Sequence, residues 1–290
     1  MKIFNAGMIC LLILFAAVLS AETYEYEQFE QTYTISGDEP LMLIIDVDVG
    51  ELRVHRSSAD REVSVNAEYI PSHFRLDVDY REEKNRLKIT LDKRSWHKWP
   101  RERDDECNRS PVDIELGLPA GATLILDTRM KAGELSMSLG GLRIQEFSLS
   151  FWAGEARVDF DQPNQITMDY MDIDAKVGEA VFRKMGNARF QTADINGGIG
   201  EISIDFTGDL LEDSRARVDL DIGEASILVP GDKGIRMSIG GGLGFLSQKN
   251  IDLDFYKHGR YYYSENYEGA KDRFSLRVTP GLGELTIDRD

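Results

Sequence analysis

The chain has 290 residues, with 51 Asp and Glu against 34 Lys and Arg and a formal net charge of −17. Hydrophobic residues at 42%, with 26 Gly and only 8 Pro, describe an ordered chain and exclude a disordered one. So acidic a surface argues against nucleic acid and against unaided adhesion to anionic lipid, and is compatible with solubility, basic partners and divalent cations.

Met1-Lys2, an apolar run from Ala6 to Leu19 and the small pair Ser20-Ala21 before Glu22 predict a secretory signal peptide over residues 1–21. The run is short for a spanning helix and no later segment approaches that length, so the mature chain is expected to be exported without a membrane span, to the bacterial periplasm or cell surface. Cys10 falls inside the leader, which leaves Cys107 without a partner for an internal disulfide. His55, His73, His97 and His258 lack the paired spacing of a zinc site, and no phosphate loop, dinucleotide fingerprint or Gly-x-Ser-x-Gly elbow occurs. The expectation is therefore no cofactor and no enzyme.

Residues 22–111 form an N-terminal β region. A tyrosine-rich acidic lead-in enters a first strand near Thr32, and alternating apolar positions place further strands at Leu41 to Val54, Val63 to Tyr69, Phe74 to Tyr80 and Leu87 to Leu91. Arg94 to Pro111 breaks the pattern with a cationic and aromatic stretch. Trp96 and Trp99 either grip a sugar ring or partner protein, or cap one end of the core.

From Val112 to Asp290 the pattern is repetitive. Gly-Glu steps at Gly133, Gly154, Gly178, Gly200 and Gly223 are 21, 24, 22 and 23 residues apart, each flanked by apolar residues at every second position. Gly50-Glu51 and Gly283-Glu284 repeat the step outside that run. A fixed period with strand alternation predicts stacked rungs, each of two short strands joined at a glycine corner, in a right-handed parallel β-solenoid of roughly 22-residue rungs. The alternative is an antiparallel β-sandwich. Tyr261, Tyr262 and Tyr263, in an insertion from Gln248 to Arg273, either bind a glycan or peptide or cap the open end of the stack.

The C-terminal motifs, Ala225 to Pro230, Gly234-Ile235-Arg236-Met237, Gly241-Gly242-Leu243-Gly244, Ser264-Glu265-Asn266-Tyr267 and Gly281 to Ile287, resemble the toast-rack group of exported bacterial β-repeat proteins, whose members often carry the label "putative adhesin". They are also similar to the C-terminal region of the cell-wall-active antibiotic response family. The resemblance implies a domain of unknown function that binds or scaffolds in the cell envelope, with an unknown envelope protein or glycan as partner. A regulatory partner in envelope-stress signalling and a carbohydrate-active enzyme on a β-helix are the alternatives.

Two acidic patterns remain. Asp172, Asp174, Asp219 and Asp221 lie two apart on predicted strands, where stacking would put Asp174 and Asp221 in one column as weak calcium candidates against a plain solvated face. The corner glutamates Glu134, Glu155, Glu179, Glu201 and Glu224 are expected to accept bonds from turn amides. A row repeated at every rung reads as structure, since catalytic sites are local exceptions to a repeat.

Overall fold

The computed structural model describes residues 25–94, 110–240, 247–252 and 254–290. The leader at 1–21, Trp96, Trp99 and Cys107 lie outside the described residues. Apart from two short 3-10 turns, at Glu82–Lys84 and Met185–Ala188, the regular elements are strands. The first six are β1 (Glu27–Thr34), β2 (Leu41–Arg56), β3 (Glu62–Tyr69), β4 (Phe74–Arg81), β5 (Arg86–Lys93) and β6 (Val112–Leu118). Five long strands follow: β7 (Thr123–Ser138), β8 (Arg143–Asp159), β9 (Met168–Arg183), β10 (Phe190–Asp205) and β11 (Ser214–Val229). The chain closes with β12 (Gly234–Ile239), β13 (Ser247–Ile251), β14 (Phe255–His258), β15 (Tyr261–Ser264), β16 (Arg273–Thr279) and β17 (Leu282–Arg289).

The long strands pair in parallel and in register, β2 on β7, β7 on β8, and so on to β11. Such a strand, extended, would reach about 50 Å. Yet β7 and β8 are joined by only Leu139, Gly140, Gly141 and Leu142. The strand must therefore fold back on itself, and it does so at the Gly-Glu step. Pairing continues through the bend, glycine beside glycine, so each rung is one bent strand and not the two separate strands read from the sequence.

The corner glycines have φ between +119 and +139, a region closed to L side chains. A Cβ on Gly178 would fall on the carbonyl oxygen of Gly154, and one on Gly200 on that of Gly178. Only glycine lets successive corners approach closely enough to keep the ladder intact.

One open sheet is thus folded along its corner into two facing halves, with a single apolar core between them. Phe147 and Phe160 meet edge to face at 6.4 Å, and Phe190, Phe206 and Phe274 form a second aromatic group. The long strands rule out the antiparallel sandwich. Antiparallel pairing is confined to the ends: β1, β3 and β6 in one half, β4 on β5 and the β12–β15–β14 run in the other.

The C-terminal order departs from sequence order. β16 and β17 pair with the two arms of β11, and β12 and β13 pair with the outer edges of β16 and β17. The last rung in sequence is therefore the second to last in space.

Candidate functional site

That insertion builds a groove on the outer face of one half of the sheet. Strand alternation points Arg215 and Arg217 of β11 away from the core, between buried Ser214, Ala216 and Val218. Register sets Arg217 beside Arg277 of β16, and Arg215 beside Ser275. Beyond β16 lie Arg236 and Ser238 of β12. The β14–β15 hairpin then turns in, with Arg260 at its tip and Tyr261 beside Ser238. Thr192 and Asp194 of β10 form the opposite wall. Together these side chains line an open groove of about 650 Å³.

Five guanidinium groups converge there. Arg217 Nε pairs with Asp219 at 2.7 Å, which fixes its fork over the groove. Arg236 bonds Ser275 Oγ at 3.2 Å and lies 5.5 Å from the centre of the Tyr261 ring. Arg260 lies 4.9 Å from the same ring and donates to Tyr261 Oη at 2.7 Å. The Tyr261 ring thus orients two cations, a contact worth about 0.5–1 kcal/mol each at an exposed site. On the far wall, Tyr170 Oη donates to Asp194 at 3.0 Å; burial first, then that bond, push the phenol up to about 12. Preoriented guanidinium forks match carboxylate, sulfate or phosphate oxygens, and the interleaved Ser and Thr hydroxyls match sugar hydroxyls.

The tyrosines predicted as a binding cluster divide by alternation. Tyr261 lines the groove, and Tyr263 stacks on Tyr256 at 5.7 Å and meets Tyr267 at 4.9 Å. Tyr262 points the other way, packing on the core with Lys257 5.1 Å from its ring. The hairpin continues one half of the sheet past β12.

The aspartates read as calcium candidates are held apart. Asp174 pairs with Lys176 at 2.6 Å and Asp219 with Arg217. The register neighbour of Asp174 is Asn196 and the next is Asp219, so Asp221 does not share its column. Among the described residues no group of three or more metal-ligating side chains comes together. Asp172 lies beside Asp194 on the same face, and burial, then Asp194 and Asp174, raise its carboxyl. Three of the corner glutamates bond side chains in place of turn amides: Glu51 takes Arg53, Glu155 takes Arg157 and Glu284 takes Asn250.

The groove arginines escaped the sequence reading because they lie at 215, 217, 236, 260 and 277. Their one local signal is the Arg-x-Arg alternation on β11.

Residues 22–183 match the family described as the N-terminal domain of toast_rack, DUF2154. The match takes in the N-terminal region and the first three long repeat strands, not the C-terminal motifs that carried the resemblance. Two solved structures are similar over nearly their whole length. One is a "putative cell adhesion protein" from Clostridium sporogenes ATCC 15579, with 12% identity, a TM-score of 0.44 and coverage of 92% of this chain and 100% of that one. The other is a "putative adhesin" from Bacteroides fragilis NCTC 9343, with 12% identity, a TM-score of 0.41 and coverage of 90% and 97%. No curated protein matches the chain. Among the described residues no helix is long and apolar enough to cross a membrane.

Proposed function

Since the chain belongs to the toast-rack family, we propose that it is an exported, non-enzymatic binding or scaffold protein of the cell envelope, adhesin-like, with the arginine groove as its binding face. In this reading residues 1–21 are a cleaved leader, and residues 112–290 wind as a right-handed parallel β-solenoid on an N-terminal β region. The stack is a rigid display surface. The ligand is an anionic glycan.

One observation carries the reading: five arginines converge in a single groove on a chain of net charge −17. Arg217 and Arg277 stand on adjacent strands, about 4.8 Å apart at the backbone. Asp219 pairs with Arg217 through Nε, but among the described residues no carboxylate pairs with Arg215, Arg236, Arg260 or Arg277, so the groove keeps a cationic excess that an anion can bridge. The hydroxyls of Thr192, Ser238 and Ser275 between the arginines favour a sugar over a peptide or nucleotide. Binding is favoured over hydrolysis because Asp172 and Asp194, the carboxylates beside the groove, lie side by side on one face. Glycoside cleavage needs two carboxylates on opposite sides of the scissile bond.

The test is fluorescence anisotropy with labelled dextran sulfate and, as control, neutral dextran. The sulfated polymer should bind with salt-dependent affinity, and R217Q/R277Q should weaken it at least tenfold. Equal binding by the double variant, or no binding at all, would sink the assignment.

A further inference from the structure

The folded edge of the sheet, on the other side of the molecule's chemistry, has a character of its own. Immediately before their corner glycines, β9, β10, β11 and β17 carry Val177, Ile199, Ile222 and Leu282, in register one above another. The first three are 49%, 53% and 48% exposed, against the alternation that hides apolar residues elsewhere in these strands. Beneath them the core thins. Three residues before the glycine, the inward position holds Met130 in β7 and Phe151 in β8, then falls to Ala175 in β9 and Gly197 in β10. Across the fold, β9 offers only Ala180. The smaller side chains leave a shallow apolar crevice beneath the exposed ridge, walled by Phe151, Ala175, Ala180, Gly197, Ile202 and Leu220. Protein interiors are otherwise close-packed, so a gap of this kind that opens outward is a place for a side chain from elsewhere.

The rim is charged. Glu179, Glu201, Glu224 and Glu284 follow the same glycines in register and border the crevice. Two earlier rungs supply a counterion two residues on: Arg53 lies 3.3 Å from Glu51, and Arg157 lies 3.0 Å from Glu155 and 4.0 Å from Glu179. At Glu201 and Glu224 the equivalent residues are Ser203 and Ser226. Among the described residues no cation pairs with either carboxylate. Two like charges on neighbouring parallel strands, about 4.8 Å apart, repel unless a cation is brought to them.

We propose that this corner crevice is the docking site for a basic amphipathic peptide segment of a partner protein. A large apolar side chain of the segment enters between Ala175 and Ala180, and lysines or arginines flanking it lie over Glu201 and Glu224. Charge complementarity selects this occupant. An anionic lipid surface is repelled by the glutamate row, and a neutral apolar partner leaves the two carboxylates unpaired at the rim of a desolvated contact. The site is independent of the arginine groove, which attracts ligands of opposite charge.

The experiment uses the full mature chain and a labelled ten-residue peptide of lysines with a central Leu-Phe pair, read by anisotropy; the comparison peptides are all-lysine, and glutamates with the same Leu-Phe pair. The Leu-Phe lysine peptide should bind at least tenfold more tightly than either. E201Q/E224Q, two exposed changes that leave the fold alone, should cost about tenfold and flatten the salt dependence. Ala175→Met, which places there the side chain found two rungs away at Met130, should weaken the Leu-Phe peptide and leave the all-lysine peptide unchanged. Equal binding of the lysine peptides, unaffected by Ala175→Met, would reduce the effect to a polycation on an acidic surface and overturn the proposal. So would concentration-dependent self-association in sedimentation that E201Q/E224Q abolishes, since the corner would then be an interface between copies. Loss of dextran sulfate binding in R217Q/R277Q leaves both outcomes untouched, so failure of one site is distinguishable from failure of the other.

Discussion

Asn164 holds Ile144 by both of its backbone polar groups. The Ile144 N–H donates to Asn164 Oδ1 at 2.8 Å, and Asn164 Nδ2 donates to the Ile144 carbonyl at 2.7 Å and to the Ile166 carbonyl at 2.9 Å. The side chain is fully buried, so a local amide takes the place of a missing strand neighbour at the start of β8.

Replacing Asn164 by Ala orphans one donor and weakens two acceptors in a dry site, at about 1–3 kcal/mol for each group left unsatisfied. Asn164→Ala should therefore lower the thermal midpoint by roughly 5–10 °C for a domain of this size. Asn164→Asp should melt no higher than the alanine variant at neutral pH, because its second oxygen replaces the amide that donates to the Ile144 and Ile166 carbonyls and buries an unpaired charge against them. Differential scanning calorimetry of the three proteins checks the ranking, and equal melting of all three refutes the role.

The corner glycines predict a second contrast. Gly178→Ala places a methyl on the Gly154 carbonyl and forces φ +122 on an L residue, so it should destabilise by more than the roughly 1–3 kcal/mol of backbone strain alone. Gly259→Ala, at φ +62 with open space around it, should cost only about 1 kcal/mol. Urea unfolding of both variants tests this; similar midpoints would mean that the corner tolerates a side chain.

Tyr170 should be the last of the described tyrosines to ionise. Its folded value of about 12 lies above the ordinary 10.0, because burial and the bond to Asp194 both favour the phenol. Its contribution to stability is complete below pH 10 and is lost as pH rises toward 12. Ultraviolet titration should show a late phenolate transition that is absent from Tyr170→Phe. A wild-type difference spectrum centred near 10 would show that the Asp194 bond does not form.

Asp172 has the opposite consequence for stability. A carboxyl raised by burial and by Asp194 and Asp174 binds its proton more tightly when folded. It therefore destabilises the fold at neutral pH, and the penalty fades as pH falls through its folded value. Asp172→Asn should melt higher than the parent at pH 7, with the advantage shrinking under acid. EDTA or added calcium should leave the parent's midpoint in place, since Asp174 and Asp219 are already paired with Lys176 and Arg217. A calcium-dependent rise would restore the cation site that the register argues against.

The repeat was legible because its cause is local: a Gly-Glu step with apolar residues in phase states where the chain bends and which face is inward. Bending within a continuous strand was not legible, because alternation reads the same whether or not the ladder is broken. The Asn164 and Asn187 clasps at the opposite corner were missed for a related reason. A lone asparagine in a polar turn looks the same whether its amide is exposed or, as in Asn187, bonds the Phe160 carbonyl at 2.8 Å. Of the two candidate surfaces only Tyr261 and the Arg-x-Arg alternation on β11 were visible in the sequence. The arginine groove depends on β16 lying between β11 and β12, and the crevice depends on side-chain volumes compared down a column of rungs.

The placement of that last rung also sets the order of events in folding. Rungs up to β11 can be added as they are made, each new strand meeting an edge already present. β12, already paired with β15, and β13 then have no place on the stack until residues 273–289 have arrived and slotted in between. A nascent or truncated chain therefore exposes the bare edge of β11, a template for unwanted strand addition. The closing rung acts as a keystone: remove it and the arginines before and after it no longer share a groove.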